Sequence, residues 1–269
     1  MTIPKLGAMP AIGFGTWPLS GDACRSAVAS AIDVGYRHID TAQMYGNEAE
    51  VGDGIRASGI GRSDIFLTTK LWPDRLGAAD VPAAVDESLE KLQMDHVDLL
   101  LVHWANPKIP MAETLQAFDD VRRSGKARAI GVSNFTTRLL SEAKATGIAL
   151  FCNQVEFHPY LDQRKVLAAT RDAGQWLIGF SPLARGTKGV PAIIGLIAQR
   201  RGKTPAQVVL RWALQHDGVA IVAKSSGKER QRENIAIFDF ELNEAEMAHI
   251  SSLHDGTRVV NLDVAPAWD

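Results

Sequence analysis

Cysteine is nearly absent from this chain: Cys24 and Cys152 are the only two, and neither stands in a close pair or beside a histidine at metal-ligand spacing. A disulfide framework and a structural zinc are therefore not expected, and both thiols read as packed core groups. An excess of charge of one sign is missing too. With 29 Lys plus Arg against 31 Asp plus Glu, the formal net charge is -2, which leaves no global electrostatic footprint for nucleic acid or an anionic membrane. Any basic site must be local. No apolar run reaches the roughly eighteen residues of a membrane span, and MTIPKLGAMPAIGFGTW lacks the core of a signal peptide. The expectation is a soluble, cytoplasmic protein with no membrane or nucleic-acid partner. Nor does a proline-rich or low-complexity linker divide the chain, so residues 1–269 read as one domain.

What is present is alternation. Short apolar runs occur at YRHID (36–40), IFLTTK (65–70), VDLLLVH (97–103), AIGVSN (129–134), NQVEF (153–157), LIGFS (177–181) and VAIVAK (219–224). Several are apolar at consecutive positions, the mark of strands covered on both faces, as in a parallel sheet. Helical spacing fills the gaps, as in DVPAAVDESLEKLQM and TPAQVVLRWALQHD. Gly35, Gly125 and Gly147 stand where helices should stop, and Thr204-Pro205 and Asp80-Val81-Pro82 read as helix starts. A weaker eighth strand is expected at Ile237–Phe240, followed by a helix near Asn243–Leu253. The segment before residue 20 is left as a hairpin closing the bottom.

Recurring βα units allow a doubly wound open sheet or a (β/α)8 TIM barrel. The open sheet usually carries G-x-G-x-x-G after its first strand. Here Gly13-Phe14-Gly15 lacks the third glycine and runs into Trp17-Pro18, so the α/β barrel with an N-terminal β-hairpin is favoured. Its active site would lie where strand C-termini converge. Asp40, Lys70, His103, Asn134, Gln154, Ser181 and Lys224 all fall at or near those ends.

These segments resemble the aldo-keto reductases. The likeness rests on GFGTW (13–17), YRHIDTAQMYGNEAEVG (36–52), TTKLW (68–72), VDLLLVHW (97–104), IGVSNF (130–135), NQVEFHPYL (153–161), SPLARG (181–186), GKTPAQVVLRW (202–212) and KSSGKERQREN (224–234). Within the family, the short length and the APAWD ending are most similar to bacterial 2,5-diketo-D-gluconate reductases of the B type.

The resemblance implies a catalytic tetrad of Asp40, Tyr45, Lys70 and His103. Hydride arriving at a carbonyl carbon leaves negative charge on oxygen, so a proton and electrostatic stabilisation are needed there. Tyr45 would supply the proton, with Lys70 favouring its phenolate and bringing its pKa closer to working pH. Asp40 would pair with Lys70, and His103 would orient the substrate oxygen.

The implied cofactor is NADPH. Ser133, Asn134 and Gln154 would surround the carboxamide, Phe180 would stack on the nicotinamide, and Ser181 and Leu183 would lie along the cofactor. Lys224, Ser225, Arg230, Glu233 and Asn234 would meet the 2′-phosphate end, where Arg230 can fork onto phosphate. Phe180 stands where the commoner family residue is tyrosine, and Ala105 where many relatives have proline. Trp17, Trp72, Trp104 and Trp268 are expected to wall a narrow pocket for small activated carbonyls such as 2,5-diketo-gluconate or methylglyoxal. The family also suggests a monomer.

Two other readings keep the same residues: a non-catalytic NADPH-binding regulatory subunit, and a lyase forming a Schiff base at Lys70 or Lys224. Metal hydrolysis finds no ligand set, because His158, His216, His249 and His254 are scattered, and no metal is expected.

Overall fold

The computed structural model describes residues 2–269. Two short strands, β1 (Lys5–Leu6) and β2 (Met9–Pro10), form an antiparallel hairpin. There follow β3 (Ile12–Gly15), α1 (Gly21–Val34), β4 (His38–Asp40), α2 (Glu48–Ala57), β5 (Phe66–Leu71), α3 (Asp80–Leu92), β6 (Val97–Val102), α4 (Met111–Arg123) and β7 (Ala127–Ser133). The chain continues through α5 (Thr137–Ala145), β8 (Cys152–Glu156), α6 (Arg164–Asp172), β9 (Trp176–Phe180), α7 (Ala192–Arg201), α8 (Pro205–Leu214), β10 (Val219–Ala223), α9 (Lys228–Ile235) and α10 (Glu244–Ser251). Strands β3 to β10 pair in parallel and close in the order β10-β3-β4-β5-β6-β7-β8-β9. This is the (β/α)8 barrel.

Local chemistry explains the elements. In α3 the buried positions Val81, Ala84, Val85, Ser88, Leu89 and Leu92 recur at helical spacing, which lays one stripe on the barrel. Capping boxes at Thr204/Gln207 and Asn243/Glu246 start α8 and α10. Gly35, Gly125 and Gly147 all have positive φ, as helix stops require.

One expectation is corrected. Ile237–Phe240 forms no strand, and the place beside β10 belongs to β3, with Ile221 paired to Ile12. Ile12–Gly15 carries only a faint strand pattern because two of its four residues are glycines, which weaken such a pattern. The glycine is needed: a Cβ at Gly13 would come within 2.7 Å of the buried His38 ring. Ile237 is fully buried, but it packs in the layer between barrel and helices.

Two apolar cores result. The larger lies between strands and helices. The smaller, built from Met9, Phe66, Leu99, Leu101, Cys152, Ile178, Ala220 and Val222, fills the barrel interior above the hairpin. Because side chains alternate along a strand, the residues two or four positions beyond these also point inward, but at the open end. They are Lys70, His103, Gln154, Phe180 and Lys224.

Candidate active site

Asp40 ends β4, Lys70 lies near the end of β5, His103 follows β6, and Tyr45 closes a single 3-10 turn after β4. Strand register does the gathering: Asp40 pairs beside Thr68 and Lys70 beside Leu101, so the tetrad residues rise from three adjacent strands. Lys70 Nζ donates to Asp40 Oδ1 at 2.5 Å, to the Thr41 carbonyl at 2.8 Å and to the Tyr45 hydroxyl at 3.4 Å. Both members of the Lys70–Asp40 pair are buried. Tyr45 and His103 meet edge to face at 5.6 Å, and Trp17 lies 5.1 Å from the Tyr45 ring.

The charges follow from burial and partners. Burial alone would depress the Lys70 pKa, but Asp40 and Tyr45 outweigh it and hold the ammonium above its ordinary value. Burial pushes the Tyr45 pKa up, and Lys70 opposes this without prevailing. Lys70 thus acts on the phenol in the expected direction, but burial outweighs it and Tyr45 stays protonated. Burial, then the Lys70 charge, holds His103 well below the ordinary histidine value, so its ring is neutral. Its Nδ1 is buried without a partner.

Asp40, Tyr45 and His103 floor a cavity of about 740 Å³, and the fully buried Lys70 lies behind them. Ser133, Asn134, Gln154, Phe180, Ser181, Leu183, Lys224 and Arg230 line it as expected from the sequence. Asn134 has φ +62° and donates through Nδ2 to the His103 carbonyl and to Ser133 Oγ, both at 3.0 Å. Its Oδ1 is left buried and unpartnered, an acceptor aimed at no protein group. Gln154 does more than the sequence suggested: its Nε2 donates across the barrel to Asp40 Oδ2 at 2.8 Å. Lys224 and Arg230 are exposed.

Other expected residues are elsewhere. Ser225, Glu233 and Asn234 do not line the cavity; Glu233 instead accepts from Thr204 Oγ1 at 2.5 Å and ties α9 to the start of α8. Of the four tryptophans, Trp17 and Trp104 line the cavity and Trp72 and Trp268 do not. Trp72 supports His103 from the side at 5.2 Å. Trp268 packs against the buried Trp104 and lines a neighbouring cavity of about 620 Å³. Sequence reasoning missed Met44, Arg185 and the segment Val259–Leu262, all of which line the main cavity. Arg185 sits in a turn where Ser181, Ala184 and Arg185 all have positive φ. No sequence signal marks that conformation in residues with a Cβ.

The family model for the aldo/keto reductases matches residues 11–188 and 191–255. This chain belongs to the aldo/keto reductase family. As a member it is an oxidoreductase. Among solved aldo/keto reductases, one provisionally named 2,5-diketo-D-gluconic acid reductase B is 47% identical, with a TM-score of 0.94 over 98% of this chain and 95% of that one. Methylglyoxal reductase DkgB of Escherichia coli O157:H7 is 38% identical over 97% of this chain and 100% of its own length. The aldo-keto reductase of Bombyx mori, solved in complex with NADP, is 35% identical, with a TM-score of 0.88 over 94% of this chain and 92% of that one. Among the described residues no helix is long and apolar enough to cross a membrane, and no three His, Cys, Asp or Glu side chains gather as a metal site.

Proposed function

We propose that the protein reduces small activated aldehydes or ketones, of the methylglyoxal or diketo-gluconate kind, with NADPH. The observation that carries this reading is the buried Asp40–Lys70 pair hydrogen-bonded to Tyr45, a protonated phenol beside a neutral His103 in an open cavity.

The residues fit the dinucleotide. The unpartnered Asn134 Oδ1 suits a carboxamide N–H, Phe180 offers an aromatic face, and exposed Lys224 and Arg230 suit a phosphate. When bound, NADPH supplies the hydride.

The chain supplies the rest. The Tyr45 hydroxyl gives its proton to the carbonyl oxygen as charge develops there. The phenolate left behind faces the Lys70 ammonium, which is fixed before the reaction begins by Asp40 and the Thr41 carbonyl, so little reorganisation is needed. Gln154 holds the second Asp40 oxygen. His103 presents a neutral ring N–H to the substrate oxygen, which orients it without adding a cation that would compete for Tyr45.

A Schiff base at Lys70 is disfavoured. Its amine is an ammonium with three acceptors and a raised pKa, the opposite of the neutral nucleophile that such chemistry needs. The test is NADPH oxidation against methylglyoxal, a diketo-gluconate, an aromatic aldehyde and a steroid ketone. The first two should give the highest kcat/KM. A steroid ketone ahead of both would refute the substrate class, and tight NADPH binding without turnover of any carbonyl would favour the regulatory-subunit reading.

A further inference from the structure

The last residue of β8, Glu156, is fully buried and takes no part in the chemistry above. A carboxylate so far from water must be compensated by its partners. Its Oε1 accepts the Val259 N–H at 2.7 Å and pairs with His158 Nε2 at 2.8 Å, while its Oε2 accepts the Val260 N–H at 2.9 Å. Two consecutive main-chain donors more than a hundred positions away in sequence therefore converge on one carboxylate, one on each oxygen. Such charge-assisted bonds are short and about twice as strong as neutral ones.

The donors belong to the segment that walls the cavity. Val259, Val260, Asn261 and Leu262 all line it. On the near side, Asp255 and Thr257 donate to the Tyr160 carbonyl at 3.2 and 3.1 Å. On the far side, Trp268 packs on Trp104, carries Arg258 over its ring at 3.5 Å and donates to Asn261 Oδ1 at 2.9 Å. The Asp269 carboxylate accepts from Thr137 at the start of α5. Between those attachments, Glu156 fixes the backbone where it crosses the mouth.

We propose that Glu156 is a positioning residue: it latches residues 259–262 across the mouth and so sets the affinity for the carbonyl substrate without touching it. The same strand carries Gln154, whose amide holds Asp40, so one rigid element places both the floor and the wall of the site. The effect on KM rests on the carbonyl-reductase reading; the latch itself does not.

Glu156→Gln keeps the volume but turns one acceptor into a donor facing a backbone N–H. Losing one charge-assisted bond corresponds to roughly tenfold or more. The expected result is a KM for the carbonyl raised by about that factor, with kcat and NADPH affinity within about twofold. Hydrogen exchange at Val259 and Val260 should quicken by a similar factor while the barrel strands keep their protection. Glu156→Asp, which keeps the charge, should recover part of both. A role in general stability only would instead lower kcat through loss of active enzyme at unchanged KM, and that pattern overturns the proposal, as does unchanged exchange at the two amides. If Glu156→Gln does not fold, Val260→Pro removes one of the two donors from outside the barrel, and hydrogen exchange at the remaining Val259 amide should then quicken while the barrel strands keep their protection. Should the wild type reduce no carbonyl, the exchange measurement still decides for or against the latch.

Discussion

Replacing Asp40 by Asn tests how the site holds its charge. The substitution is nearly isosteric, but it leaves the fully buried Lys70 ammonium without its counter-ion. Breaking a buried ion pair from one side costs about 3–5 kcal/mol, which in a chain of this size lowers Tm by roughly 6–20 °C. The pH dependence sharpens the test. In the wild type the Lys70 pKa is raised above its unfolded value, so its stabilising contribution is fully present below about pH 10.5 and is lost as pH rises through the folded pKa. In Asp40→Asn the burial penalty is unopposed by that carboxylate, and the folded pKa drops below the unfolded one. The unfolded state then binds more protons, so stability must rise with pH between those values. Urea denaturation at pH 7, 8 and 9 should show a flat Lys70 contribution in the wild type and a rising stability in the variant. A variant within about 1 kcal/mol of wild type, with no upward trend, would refute a charged Lys70 held by Asp40.

Arg230→Ala should weaken NADPH by about tenfold or more and NADH by less than about twofold in fluorescence titration, because a charge-assisted contact is lost only where its phosphate exists. Equal weakening would make Arg230 structural. The pH profile of kcat/KM should be level between about pH 6.5 and 8.5, since burial keeps His103 neutral and Tyr45 protonated throughout. A break near the ordinary histidine pKa would show that His103 titrates. Mild reductants and thiol-alkylating reagents should leave the rate unchanged, because burial pushes the Cys24 pKa up to about 11 and raises that of Cys152 as well. Rapid inactivation would contradict this.

Much of this was legible in the sequence because a barrel converts strand order into site geometry. Runs such as VDLLLVH announce a strand buried on both faces, and the polar residue ending each run must then point into the mouth. Asp40, Lys70, His103 and Gln154 were accessible on that ground alone. The barrel's eighth strand was not, because the two glycines of Ile12–Gly15 obscure the pattern while the more apolar Ile237–Phe240 packs between layers. The direction of the Tyr45 shift depends on burial outweighing a neighbouring charge, a balance that exists only in three dimensions. Nor could sequence tell on which side of the closing segment Trp268 would lie. The contact of Glu156 with Val259 and Val260 joins groups more than a hundred residues apart through main-chain donors, which carry no side-chain signature.

The central claim is that Tyr45 delivers the proton, and Tyr45→Phe tests it most directly. The hydroxyl is lost while Asn134, Phe180, Lys224 and Arg230, the proposed cofactor contacts, are untouched. Steady-state NADPH oxidation with the best substrate of the panel, alongside fluorescence titration of NADPH, should show a rate lowered by about 10²–10⁴ with cofactor affinity unchanged within about twofold. A variant that keeps more than about a tenth of the wild-type rate would contradict the assignment of Tyr45 as the acid.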